Sequence, residues 1–361
     1  MNKKRELYSD ILKIISIFLV IIIHVIAAYR DKYLYTNGKY YFILTFVDSF
    51  TRIAVPIFFM ITGTFMLSKK TEKYSDYFKK RIPKLLIPFF LISIVYYIYE
   101  CNKMGESKSI IDFITAFLNN GVKYHFWYMY TIILIYLLIP FLQILVQNLD
   151  KKRLLNLIIL LFVLSNGFNT ISLLTNRYEY GILRVFTLPS MFSYINYLFL
   201  GYYLYKYSLN NTKKKKIILF IISIICICLI PVFDHYFING SRNDEMLIAT
   251  CILPIIPSVF SYIFVRDYFK DKKIPDKIYS IVSVVSSCVI YIYMIHVYVI
   301  EKFEKDFSKY WTHDSFKGNI LRIIIVTVVS FIVSLLISYL IVLIKNLITK
   351  LVLNIKSRVK K

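Results

Sequence analysis

Ten runs of mostly apolar residues, joined by short basic stretches, constrain this chain more than any other feature. A helix rises about 1.5 Å per residue and a hydrocarbon layer is about 30 Å thick, so about twenty apolar residues cross it once. The runs are 11–29, 42–67, 82–100, 127–147, 154–172, 181–205, 217–234, 246–266, 279–300 and 319–345. With 58% of its 361 residues hydrophobic, the chain is too apolar for a soluble α/β domain. The expectation is an all-α integral membrane protein, a bundle of about ten transmembrane helices, read as a single domain over residues 1–361 with no separate soluble part. The weakest runs are 154–172, which ends in Ser165-Asn166-Gly167, and 181–205, which holds Arg184, Pro189 and Asn196.

A formal charge of +24 invites a nucleic-acid partner. The basic residues instead sit in small clusters between apolar runs, as orientation in a membrane requires, so no nucleic acid is expected. An even number of spans puts both termini on one side. The connections on that side hold 28 Lys and Arg, and those on the other side hold 12. Positive charge stays inside, which places both termini in the cytoplasm and the chain in the cytoplasmic membrane. Lys213 to Lys216 read as part of that topogenic charge or as lipid-facing. Lys3-Lys4-Arg5 before an apolar run has the outline of a signal peptide, but the run is long and others follow, so it reads as a retained helix. Cys226, Cys228, Cys251 and Cys288 lie within runs and only Cys101 in a connection, which leaves no disulfide framework. No zinc spacing, Gly-rich phosphate loop, nucleophile elbow or internal repeat is present, and no metal is expected.

Lys13, Arg52, Lys84, Arg184 and Arg322 lie within runs, as do His24 and His296. Eleven helical steps from Lys13 to His24 come to about three full turns, so both share one face about 16 Å apart. Ionisable groups in lipid are costly and mark function by default. The plain alternative is that Lys13 snorkels to the headgroups and His24 bonds a neighbouring helix. Few acids are at hand to pair these cations, Asp48 being the nearest to Arg52 in sequence. Unpaired cations facing inward would suit a bound anion or a watery cavity, whereas snorkelling suits Lys84 and Arg322 near their run ends. Pro56 frees a backbone carbonyl beside Arg52 and is expected to kink its helix. Thr62 and Gly63 permit close helix approach.

The stretch ending Lys79-Lys80-Arg81-Ile82-Pro83-Lys84 carries the densest charge next to an expected helix start. Arg81 and Lys84 are i and i+3. With free N–H groups of that helix start they would hold a phosphorylated ligand; the alternative is topology alone. His125-Phe126-Trp127-Tyr128 reads as an interfacial aromatic belt or as a platform for a sugar ring, and Tyr310, Trp311 and His313 as belt. Tyr293 and His296 are i and i+3 near the expected outer end of their helix, where His296 would be solvated.

In order and spacing these patches resemble acyltransferase family 3, the multi-pass membrane acyltransferases of bacterial surface glycans. The match is carried by Asp10-x-x-Lys13 through His24, by Arg52-Ile-Ala-Val-Pro-Ile-Phe-Phe-Met-Ile-Thr-Gly63, by His125-Phe-Trp127 with Tyr136 and Pro140, and by Tyr293-Met-Ile-His296, with Arg81-x-x-Lys84 as a weaker fifth. The resemblance implies about ten helices and an acyl-CoA co-substrate, usually acetyl-CoA, bound from the cytosol. It further implies transfer to a hydroxyl or amine of an envelope glycan or its lipid-linked precursor. The family's Arg eleven residues before the His is Lys13 here, which keeps the charge but loses the bidentate fork. A Glu that many members carry five residues after the Trp is Ile132 here.

On this resemblance the CoA phosphates are assigned to Arg81, Lys84 and Lys80, with Lys79 beside them and Lys13 near the mouth. His24 is assigned general-base or acyl-relay chemistry, Lys13 or Arg52 the oxyanion, and His125, Trp127, Tyr293 and His296 the acceptor. No hydrolase-like domain follows the tenth run, so transfer is expected to finish in the membrane domain or with a glycan-biosynthesis partner or a second copy. The rival classes are an anion transporter or flippase, and a non-catalytic glycan-assembly subunit. Consumption of acyl-CoA separates the enzyme from both.

Overall fold

Backbone groups find no water in lipid, so a spanning chain closes its hydrogen bonds within helices. A computed structural model describes residues 6–105, 107, 109–175, 188–207, 212–237, 251–270, 272–310 and 315–359, and among these residues every regular element is helical. In chain order they are α1 (Leu7–Leu34), α2 (Gly38–Thr51), α3 (Ala54–Met66), α4 (Tyr74–Met104), α5 (Ile110–Leu118), a 3-10 turn (Tyr124–Phe126), α6 (Trp127–Gln147) and α7 (Lys151–Phe162). A π-helical turn (Val163–Gly167) joins α7 to α8 (Phe168–Thr175), and then come α9 (Ser190–Lys206), α10 (Lys213–Phe237), α11 (Ile255–Phe269), α12 (Asp276–Tyr310) and α13 (Phe316–Val359).

Eight helical stretches among the described residues are long and apolar enough to cross a membrane. The two remaining expected runs, 181–205 and 246–266, begin outside the described residues. Their described parts are the 17-residue α9 and the 15-residue α11. Arg184, Trp311 and His313 also lie outside the described residues, and the side chain of Tyr310 is not among those described.

Two sequence expectations need correction. The run 42–67 is two helices rather than one kinked helix, with a turn at Arg52-Ile53 between α2 and α3. Pro56 lacks the N–H that would bond the Arg52 carbonyl, and as the third residue of α3 it needs no such bond. Second, α4 starts at Tyr74 rather than near Ile82, with Asp76 in its first turn. Arg81 and Lys84 therefore sit inside the helix, where backbone N–H groups are already bonded, and no helix-start amides accompany them.

The chain divides into two compact units, one of residues 1–54 and 262–361, the other of residues 55–261. In the first, α1 packs on α2, α12 and α13, and α12 packs on α13. The buried positions of α1 include Leu12, Ser16, Ile17, Val20, Ile21, Val25 and Tyr29, a three-to-four-residue spacing that faces one side of the helix. Polar ties fix it near both ends. Ser286 Oγ donates to Asp10 Oδ1 at 2.6 Å, and Asn319 Nδ2 donates to the Tyr33 hydroxyl at 2.7 Å. The Tyr29 hydroxyl donates to the Glu304 carboxylate at 3.0 Å, and Arg322 donates to the same carboxylate. In a membrane each such interhelical bond contributes about 0.6–2 kcal/mol. Buried Ser330, Ser334 and Ser338 give α13 a face of small side chains, which lets a neighbour approach closely.

In the second unit α3 and α9 cross at two reciprocal glycines. A Cβ on Gly63 would overlap the Leu198 carbonyl, and one on Gly201 would overlap the Met60 carbonyl. Thr64 Oγ1 sits at the crossing, 2.9 Å from the Met60 carbonyl and 3.1 Å from that of Gly201. The close approach expected at Gly63 is therefore a backbone contact. Two glutamines one turn apart on α6 serve the orphan carbonyls past α3: Gln143 Nε2 donates to Met66 O at 2.6 Å and Gln147 Nε2 to Leu67 O at 2.9 Å. They fix the short connection that carries Lys69 to Lys73.

Candidate active site

The expected catalytic residues all lie in the first unit. His24, on α1, and His296, on α12, bring their rings together with centroids 5.1 Å apart. His296 is fully buried, not solvated as expected, because it lies well inside the 35-residue α12 rather than at its end. Its Nδ1 is 2.6 Å from the Tyr293 carbonyl oxygen. A carbonyl only accepts, so Nδ1 carries the proton and the lone pair of the neutral ring is on Nε2. The i, i+3 relation of Tyr293 and His296 thus works through the Tyr293 backbone. The Tyr293 ring is also buried, 5.6 Å from the imidazole. His24 is only partly covered, which leaves it the more accessible of the pair.

The cations around them are not the unpaired set expected. Lys13 donates to Asp10 Oδ1 at 3.1 Å, one helical turn away. Arg322 is held by Glu304. Arg52 donates to Asp48 Oδ2 at 2.5 Å, and so does Arg30, at 2.7 Å. The Thr51 hydroxyl lies 2.8 Å from the other carboxylate oxygen. Asp48 and Arg30 are essentially inaccessible, at 0% and 1% side-chain exposure, whereas Arg52 keeps 14%. Arg52 therefore presents this network outward, and its buried Nε has no hydrogen-bond partner among the described residues. Arg52, His24 and His296 all belong to the first compact unit, so network and imidazole pair are carried by one body.

Arg30, Ser286 and Glu304 were not singled out from the sequence, and Asp10 was read only as part of the Asp10-x-x-Lys13 pattern. Arg30 was counted with the connection after the first run, but α1 continues through it to Leu34. An Arg directly after the first apolar run was the available signal for Arg30.

The second unit holds the remaining candidates. Arg81 donates to Glu72 at 3.1 Å and lies over the Tyr77 ring at 5.2 Å, while Lys79, Lys80 and Lys84 are exposed. Lys69, in the connection between α3 and α4, is held below the ordinary lysine range, by loss of solvation first and by the Arg81 charge second, with Glu72 opposing. Such a crowd of cations with one acid gains from an arriving anion. The aromatic patch faces inward rather than forming an interfacial belt. His125 and Phe126 are fully buried, with Tyr96 packing on both, and Trp127 stacks on Tyr194 at 5.5 Å. Ile132, on α6, is buried as well. Among the described residues no group of three or more His, Cys, Asp or Glu is placed to hold a metal ion.

Repeated long apolar helices and interior ionisable pairs define a multi-pass helical membrane protein. A family model described as an acyltransferase domain matches residues 6–339, nearly the whole chain, and the chain belongs to that family, acyltransferase family 3. Among curated proteins it is similar to an amino-acid racemase of Enterococcus faecalis, 26% identical over 297 residues, a match covering 78% of this chain and 39% of that protein. The chain thus spans about two fifths of the length of that relative. No solved structure matches it significantly.

Proposed function

We propose that this protein is a membrane acyltransferase. It moves an acyl group, acetyl in the first instance, from cytosolic acyl-CoA to a hydroxyl of a cell-envelope polysaccharide or its lipid-linked precursor. The observation that carries the reading is the His24–His296 pair beside the Arg52 network, inside helices of a chain that belongs to an acyltransferase family. An imidazole in the membrane interior is costly to keep without a task.

In this reading His24, the more accessible ring, takes the proton from the acceptor hydroxyl as its oxygen attacks the thioester carbonyl. Arg52 stabilises the oxyanion that forms, and the returning proton leaves with the CoA thiol. Arg81, Lys80, Lys84 and Lys79 hold the CoA phosphates, and Lys13, kept in place by Asp10, adds charge near the cytosolic end of α1. His125 and Trp127 support the acceptor from the interior of the second unit, and Tyr293 orients His296. The excess of basic residues on the terminal side supports ten spans with both termini cytoplasmic. The test supplies labelled acetyl-CoA to membranes carrying the wild type or His24→Ala. Release of CoA and labelling of envelope glycan that vanish in the variant support the reading, and undiminished transfer by His24→Ala overturns it.

The racemase relative favours one alternative, in which a domain of this kind handles an amino acid rather than a sugar, as acceptor or as cargo. Uptake of labelled amino acids by vesicles, with no consumption of acyl-CoA, would select it.

A further inference from the structure

We propose that a cleft in the second unit, at the far end of α4 from Arg81, is a binding site for an uncharged saccharide unit; its role as the acceptor subsite rests on the acyl-transfer reading above. The cleft has a volume of about 640 Å³ and is lined by Tyr97, Glu100, Asp112, Ala116, Lys123 and Tyr124. That is the size range of small-molecule sites, about 300–1,000 Å³. α4 has 31 residues, about 46 Å at 1.5 Å per residue. Arg81 and Glu100 are nineteen residues apart on it, about 28 Å, close to the thickness of the hydrocarbon layer, which sets the basic stretch and the cleft toward opposite faces. With the basic end cytosolic, the cleft opens on the envelope side.

Its chemistry selects the ligand. Sugars present adjacent hydroxyls around an apolar face of C–H groups. Glu100 and Asp112 are acceptors for such hydroxyl pairs, Lys123 is a donor, and Tyr124, 57% exposed, offers a flat ring. Glu100 is already fixed by Lys123 at 2.5 Å, while Asp112 is in no ion pair among the described residues. Lys103 also lies 4.0 Å from Glu100, so two carboxylates face two ammoniums and the lining has no net positive charge to hold phosphates or uronates. The walls are held rather than loose. The Tyr97 hydroxyl donates to Ser109 O at 3.1 Å, Ser109 caps α5, and left-handed Gly105 and Asn120 turn the chain on either side of α5.

The test measures binding of chitotetraose, maltotetraose and tetragalacturonate to the full chain in detergent, for the wild type, Ala116→Trp, which fills the cleft, and Tyr124→Ala at an exposed position. At least one neutral probe should bind the wild type, with tetragalacturonate about tenfold weaker and both variants about tenfold weaker for the neutral probe. Unchanged melting of the variants shows that the fold survives. Failure of both neutral probes to bind, binding that neither variant weakens, or tetragalacturonate bound as tightly overturns the proposal. Release of CoA from acetyl-CoA by the same samples separates the two readings. Saccharide binding without CoA release leaves the cleft standing and removes acyl transfer, and CoA release without saccharide binding removes only the cleft.

Discussion

Arg30 and Arg52 donate to the same oxygen of Asp48, at 2.7 and 2.5 Å. Arg30 comes from α1, Asp48 from the last turn of α2, and Arg52 from the turn that follows it. The carboxylate therefore joins two helices and orients the side chain that emerges at the break before Pro56. Without this clamp Arg52 would sit on a two-residue turn with nothing to set its direction.

Removing the acid should cost more than removing either base. Asp48→Asn leaves two buried guanidiniums facing a neutral amide, and breaking a buried pair typically costs about 3–5 kcal/mol. Arg52→Met leaves Arg30 and Asp48 still paired and should cost less. Melting curves of the detergent-solubilised variants check the order, and Asp48→Asn melting at the wild-type temperature would contradict it.

The two histidines should behave as a unit. Loss of a general base costs about 10²–10⁴-fold in rate, so His24→Ala should reduce CoA release by that factor. His296→Ala should also reduce it, and the double variant should be no slower than His24→Ala alone, because members of one catalytic group are not additive. Multiplying defects in the double variant would mean that His296 acts elsewhere.

Glu72 restrains Arg81, so the two should shift donor affinity in opposite directions. Arg81→Ala is expected to raise the KM for acyl-CoA about tenfold, on the scale of one charged hydrogen bond. Glu72→Gln frees the guanidinium and should lower that KM. Both effects should shrink as salt rises, because these groups are partly exposed. Initial rates over a range of acetyl-CoA and salt concentrations test this directly.

Gly63 and Gly201 should tolerate no side chain. Each Cβ would meet a carbonyl of the opposite helix rather than a flexible side chain, so Gly63→Ala or Gly201→Ala should cost about 1–3 kcal/mol as overpacking. Gly167→Ala, whose Cβ would lie an ordinary 3.7 Å from the Phe162 carbonyl oxygen, serves as the control. Equal expression and melting of all three would refute the crossing.

Much of the architecture was legible in residue order because lipid imposes it. Apolar runs of spanning length, the basic connections and the Gly63 approach all follow from local composition. Helix ends were read less well. Charged and aromatic residues outside the hydrocarbon still form helix, so α4 begins eight residues before its apolar run. Arg30 was misplaced for the same reason, and the solvated reading of His296 took the end of an apolar run for the end of a helix.

By itself the sequence determined that this chain is a multi-pass helical membrane protein of acyltransferase family 3, and that His24 and Arg52 lie within its apolar runs, since hydropathy and motif spacing are properties of chain order. Only the tertiary structure decided which of them meet. Asp10 bonds Ser286 across 276 residues of chain, and His24 meets His296 because α1 packs on α12. A charge buried in a low-dielectric interior takes whatever partner the packing brings within 3 Å, and that partner is set by helix contacts rather than by sequence distance.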